Sequence, residues 1–180
     1  MVGLPRGASV VISAGIAIVM PATSQYLPTY LNDHLAGSVM GLGLARRAVE
    51  HNRDSAYARD LRVIAEEIAE DKRTLEELMR ELTVRRNPVK RVGAWVGERV
   101  RRLKPNRRLG YSPLSRLEEI EMLTLGVAGK LSLWRALQHS VAAQRGLSAW
   151  KLDDLIARAE SQQQRLEALR LRAAGDALQD

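Results

Sequence analysis

The sequence predicts an all-α protein: a four-helix bundle of two antiparallel hairpins, joined by a long basic crossover that contains a short helix. Three observations predict it. Apolar residues recur at spacings of three and four over four long stretches. Alternating strand patterns and Asn-Gly or Asp-Gly turns are almost absent. The breaks between the long stretches are short, then long, then short.

At 180 residues the chain is long enough for one domain with a real core. The bundle is expected over 26–180, with 83–111 as the crossover and 1–25 as an N-terminal extension. That extension has Arg6, an apolar run from Ala8 to Met20, and then Ala22-Thr23-Ser24. This is the outline of a secretory signal. The run is short for a spanning helix, which needs about 20 residues. Three readings stay open: a misassigned start with Met20 as the first residue, an export signal or anchor, and a packed segment. The first places the chain in the cytoplasm; the second makes it exported or membrane-anchored.

The first helix spans roughly Leu27 to Glu50, with a seam of Leu31, Leu35, Ser38, Leu42, Ala45 and Val49. Gly37, Gly41 and Gly43 crowd it, at about 1 kcal/mol of helix propensity each. Close approach of a neighbouring helix is the expected reason. Asp54 or Ser55 is placed to cap the second helix, which runs from about Ser55 to Leu82. Its seam is Tyr57, Leu61, Ile64, Ile68, Asp71, Leu75, Leu78 and Leu82. One carboxylate stands among aliphatic residues.

Asn87-Pro88 starts the short helix of the crossover, expected over Pro88 to Lys104, with Val89, Val92, Val96 and Val100 on one side. Ser112-Pro113 caps and opens the third long helix, Pro113 to about Ala143. It is apolar nearly all round, so it is expected at the centre. Gly146 and Ser148 separate it from the fourth, about Ala149 to Leu178, whose seam reads Leu155, Ala159, Gln162, Leu166, Leu169 and Ala173.

Two hairpins linked by one long crossover resemble the ferritin-like superfamily over roughly residues 27–178. The stretches from Tyr30 to Arg47 and from Tyr111 to Leu137 also resemble small bacterial helical proteins. The superfamily resemblance implies a di-metal site of two Glu and two Glu-x-x-His motifs inside the bundle. The nearest motifs here are Glu67-Ile-Ala-Glu70 and Glu160-Ser-Gln-Gln163, and neither has the histidine. Three residues before His34, His51 and His139 stand Leu31, Ala48 and Ala136.

Asp71 can be placed by counting. With the first turn centred near Asn52–Arg53, His34 and Asp71 are each 18.5 residues from it, and so at one height. A His34–Asp71 contact is expected, because a buried carboxylate needs a partner. With the second turn centred near Arg145, Glu121 falls level with Leu169–Arg170, and Lys130 level with Glu160. Two readings of these polar residues stay open. In the leading one they are satisfied contacts that set helix register. In the other, His34, Glu67, Asp71 and Glu121 converge on iron or another divalent metal.

The net charge of +7 is local. Residues 85–108 hold ten cations, Arg85, Arg86, Lys90, Arg91, Arg99, Arg101, Arg102, Lys104, Arg107 and Arg108, against one Glu, a net of +9. By difference the rest of the chain carries −2. Such a segment suits an anionic membrane, an acidic partner or nucleic-acid phosphates.

Zero Cys excludes disulfides and thiolate chemistry. No phosphate loop, zinc motif or nucleophile–base signature occurs. Gly41-Leu-Gly-Leu-Ala-Arg46 is not a dinucleotide fingerprint, so no nucleotide cofactor is expected. The leading functional expectation is a non-catalytic interaction or scaffold protein without a cofactor, with a protein partner or a second copy of itself. The alternatives are a metal-binding, redox-protective ferritin relative and a polyanion-binding module.

Overall fold

The computed structural model describes residues 9–13, 16–20, 25–87, 111–140 and 152–179. Four long helices form the body: α1 (Leu27–His51), α2 (Ala58–Glu81), α3 (Pro113–Gln138) and α4 (Leu152–Leu178). α1 packs on α2 and on α3, and α3 packs on α4. The all-helical four-helix bundle expected from periodicity is what forms.

Two strands precede the bundle, which the sequence reading did not anticipate. β1 (Ser9–Ser13) pairs antiparallel with β2 (Ile16–Met20), with Ser9 opposite Met20 and Ser13 opposite Ile16. The reason is compositional. Val10, Val11 and Ile12 pair in register with Val19, Ile18 and Ala17, and β-branched residues favour extended backbone without needing polar alternation. Among the described residues no helix is long and apolar enough to cross a membrane.

Helix boundaries follow local chemistry. Ser112 caps α3, its side chain accepting from the Ser115 N–H at 3.2 Å, and Pro113 opens the first turn. α2 departs from expectation. Its N-cap is Tyr57, with no side-chain cap, while Ser55 Oγ accepts from the Tyr57 N–H at 3.2 Å and donates to the Asn52 carbonyl at 2.8 Å. Ser55 therefore organises the turn rather than capping the helix.

α2 ends on Thr83, which adopts a left-handed backbone with φ of 55°. The Val84 N–H then reaches back to the Met79 carbonyl at 2.8 Å, and Val84 itself is buried. This is a Schellman ending, normally built on Gly. A β-branched residue there is strained. The turn sends residues 84–87 alongside α1. Asn32 fastens them, donating to the Arg85 carbonyl at 3.1 Å and accepting from the Asn87 N–H at 2.8 Å.

The core is two apolar clusters stacked along the bundle axis. One gathers Leu31, Leu35, Leu75, Leu78, Met79, Leu131, Trp134 and Leu137 around the start of α1 and the ends of α2 and α3. The other gathers Ala48, Leu61, Ile64, Ile120, Leu123, Leu166 and Ala173 around the opposite end. Residues of the α2 seam from Tyr57 to Leu78 are all buried, Asp71 included at 3% exposure. α2 ends beside the first cluster, whereas Tyr111, just before α3, bonds to Asn52 at the other end. The intervening residues 88–110, with the expected short helix, lie outside the described residues.

Two expectations about packing need correction. α3 is not enclosed on all sides, since Leu125 is 66% exposed. The α1 glycines do not serve close packing within the bundle either. A Cβ added at Gly37, Gly41 or Gly43 would meet nothing within 4 Å.

Candidate functional site

Between the two apolar clusters lies a charged layer. Asp71 is at its centre, contributed by the buried seam of α2. Lys130 of α3 donates from Nζ to Asp71 Oδ2 and to Gln162 Oε1. Gln162 of α4 is fully buried, and its amide nitrogen donates to Asp71 Oδ2 at 3.2 Å and to Glu67 Oε2 at 2.9 Å. Arg158 of α4 brings Nη2 to 2.5 Å from Asp71 Oδ1 as an ion pair, without hydrogen-bond alignment, and Nη1 donates to Glu70 Oε1 at 2.9 Å. Arg165 closes the layer on Glu67 Oε2.

Three carboxylates (Glu67, Glu70, Asp71) thus face three cations (Lys130, Arg158, Arg165), and the layer is neutral overall. The cause of this arrangement is burial. A lone carboxylate inside an apolar core would carry a large desolvation cost, and it is tolerable only when paired and hydrogen-bonded. Burial pushes the Lys130 ammonium below its ordinary value, and the Asp71 carboxylate opposes that shift.

The expected Asp71–His34 contact does not form. His34 stacks edge-on against Tyr30, with ring centroids 4.6 Å apart, and burial lowers its imidazole below the ordinary value against the opposing pull of Asp33. The turn between α1 and α2 occupies residues 52–57, so its midpoint falls later than Asn52–Arg53. The α1 residue level with Asp71 is then close to Ser38, whose hydroxyl bonds back to the Leu35 carbonyl at 2.7 Å. Asp71 consequently finds its partners on α3 and α4.

The second turn was counted better. Glu121 meets Arg170 at 3.7 Å, as expected from level. Lys130 does not meet Glu160. Glu160 pairs with Arg135 at 2.7 Å, while Lys130 turns inward to Gln162, two residues farther along α4.

Of the four candidate metal ligands, the structure brings Glu67 and Asp71 together and leaves His34 and Glu121 elsewhere. The donors present do not suit a divalent cation. The Asp71 and Glu67 oxygens already face Lys130, Arg158, Arg165 and the Gln162 amide, so a metal would have to displace built-in cations. Among the described residues no group of three or more His, Asp or Glu side chains is placed to hold a metal ion.

A second polar cluster clamps the far end of the bundle. Asn52, 1% exposed, donates to the Ala48 carbonyl at 2.8 Å and to Tyr111 Oη at 2.6 Å, and accepts from Arg116 Nε at 2.7 Å. Tyr111 donates to Glu119 at 3.0 Å, and Glu119 also meets His51 Nδ1 at 2.8 Å. Tyr57 donates to Asp176 at 2.6 Å, with the Arg116 and Arg172 guanidinium groups over its ring at 4.6 and 4.1 Å. Burial raises both the Tyr57 and Tyr111 phenols above their ordinary value. All four helices contribute, so this cluster ties their ends together.

Of the ten basic candidates, Arg85 and Arg86 are described. Both are exposed, and Arg86 meets Glu76 at 3.3 Å. Lys90, Arg91, Arg99, Arg101, Arg102, Lys104, Arg107 and Arg108 lie outside the described residues.

Gln162, Arg158 and Asn52 were not singled out from sequence. For Gln162 a signal existed: it is a polar residue on an apolar seam, as Asp71 is. Arg158 gave no such signal, because an arginine beside a seam is ordinarily solvated. Comparison of the chain with family models, curated proteins and solved structures returns no match.

Proposed function

We propose that this chain is a non-catalytic helical-bundle protein that works by interaction or scaffolding, in the cytoplasm. The observation that carries this reading is the Lys130 ammonium on Asp71. The interior position that could have offered paired carboxylates to a metal or substrate holds the chain's own cations instead. Among the described residues each carboxylate of this neutral layer faces one of the chain's own cations. The layer's physical role is to specify how α2, α3 and α4 pair.

In this reading the arrangement is ferritin-like, with the metal centre replaced by an internal ion network. Support comes from the ends of the helices: α2 terminates at one end of the bundle and α3 begins at the other. Metal analysis of protein purified without chelator tests the proposal. The expected result is no stoichiometric metal, with Asp71→Ala affecting stability alone. A bound metal lost on Asp71→Ala establishes the redox-protective alternative.

A second reading, binding of a polyanion through 85–108, is favoured by the net +9 of that segment and by the exposure of Arg85 where it leaves the bundle. Salt-dependent retention on heparin tests it.

A further inference from the structure

The outer seam between α1 and α2 carries a shallow open groove. Its floor is apolar, made by Leu42 and Val49 of α1 and by Ala65 and Ala69 of α2. The two alanines leave the trough that larger side chains would fill. Arg46 stands on the α1 rim, and Arg62 and Glu66 stand on the α2 rim, all three exposed. Neither arginine has a hydrogen bond or ion pair among the described residues.

The positive rim continues along α2. Arg73 and Arg80 follow Arg62 by 11 and 18 residues, about three and five helical turns, so the three share one face. Eighteen residues of helix span about 27 Å. Glu76, on the same face, is neutralised by Lys72 at 2.7 Å and by Arg86 at 3.3 Å. Arg46 and Arg62 therefore border the apolar trough against the one carboxylate of Glu66, and beyond it Arg73 and Arg80 extend the cationic face along α2, where exposed Glu77 also stands.

We propose that this seam docks an acidic amphipathic helix from a partner protein. The inference rests on the reading of the chain as an interaction protein and names the chemistry of its partner. An apolar stripe on the incoming helix covers Leu42, Val49, Ala65 and Ala69, and flanking carboxylates pair with Arg46 and Arg62. A phosphate backbone fits less well. It has no apolar face for the floor. A flat membrane surface does not enter a trough.

The test uses the full chain and an 18-residue fluorescent peptide with leucines on one helical face and glutamates beside them. Anisotropy titration is expected to show salt-sensitive binding, reduced at least tenfold by Arg46→Glu or Arg62→Glu. Arg47→Glu, an equal charge change on another exposed side of α1, is expected to leave it within twofold. Peptides with Lys for Glu, or with Ser for Leu, are expected not to bind. Circular dichroism checks that the variants, all at exposed positions, keep their helix content. Absent binding, or binding indifferent to Arg46 and Arg62, overturns the proposal. So does duplex DNA or a phosphatidylserine vesicle that needs these arginines when the peptide does not bind. The metal measurement above is independent. Peptide binding by a metal-loaded chain would sink the non-catalytic reading and keep the groove, and a metal-free chain that ignores the peptide would do the reverse.

Discussion

Lys130 and Asp71 sit on different hairpins, yet the ammonium of one is a counter-charge of the other inside the core. Their pairing joins α2 to α3 across the bundle, and Gln162 and Arg158 bring in α4. Removing one partner leaves the other buried and uncompensated. Asp71→Ala is expected to cost about 3–5 kcal/mol in urea unfolding. The double change Asp71→Leu with Lys130→Met is expected to recover most of that loss. If the double variant is no better than Asp71→Ala, the charge pair is not what the loss measures.

The clamp at the far end gives an independent stability test. Asn52 makes three hydrogen bonds from a fully enclosed position and joins α1 to Tyr111 and Arg116. Asn52→Ala is expected to destabilise by about 1–3 kcal/mol, because the buried partners lose their bonds. Tyr57→Phe keeps the ring beneath Arg116 and Arg172 and removes only the bond to Asp176. Its cost should be smaller. Thermal melts of the two variants rank them, and the reverse order would refute this account of the clamp.

Thr83 is held at φ of 55° to end α2. Glycine adopts that conformation without the Cβ penalty. Thr83→Gly is therefore expected to stabilise the protein by about 1 kcal/mol, measured as a higher urea midpoint. A drop in stability would mean that the threonine side chain contributes more than its strain costs.

The glycines of α1 face open space, so alanine fits there. Gly37→Ala and Gly41→Ala are each expected to raise stability by about 0.5–1 kcal/mol through helix propensity. Sedimentation velocity on the same variants reads a second quantity. A change in oligomeric state would show that another copy approaches these positions closely.

His34 supplies the pH dependence. Its folded-state value lies below 6.5 because burial disfavours the imidazolium. Between that lowered value and 6.5 the unfolded chain binds more protons than the folded one. Stability therefore rises with pH through that window and falls as pH drops through it. His34→Gln should lose this component. Urea midpoints for the two proteins at pH 5 and pH 7 check it, and identical pH dependence would count against a buried neutral His34.

Much of this architecture was legible in the residues. The four-three repeat from Tyr57 to Leu82 marks the buried face of α2, and Ser112-Pro113 marks the start of α3, because both are local properties of a helix. The level of Glu121 with Arg170 also followed from counting, since rise per residue is constant. The strands at Ser9–Ser13 and Ile16–Met20 were not legible, because their signal is β-branching without alternation.

What the sequence determined by itself is where the four long helices run to within a few residues, most of the stripe each buries, and that one stripe carries a carboxylate. Periodicity, and the Ser112 cap of α3, act within a few residues, so they survive without the tertiary structure. Only the tertiary structure decided what Asp71 meets. A turn a few residues longer than counted moved the level opposite it from His34 to the neighbourhood of Ser38, and the side-chain direction on α2 sent the carboxylate toward α3 and α4. Lys130 and Arg158 are distant in sequence from Asp71. Only the packing of one hairpin on the other makes them its counter-charges, and so makes a layer that resembled a metal site an internal salt.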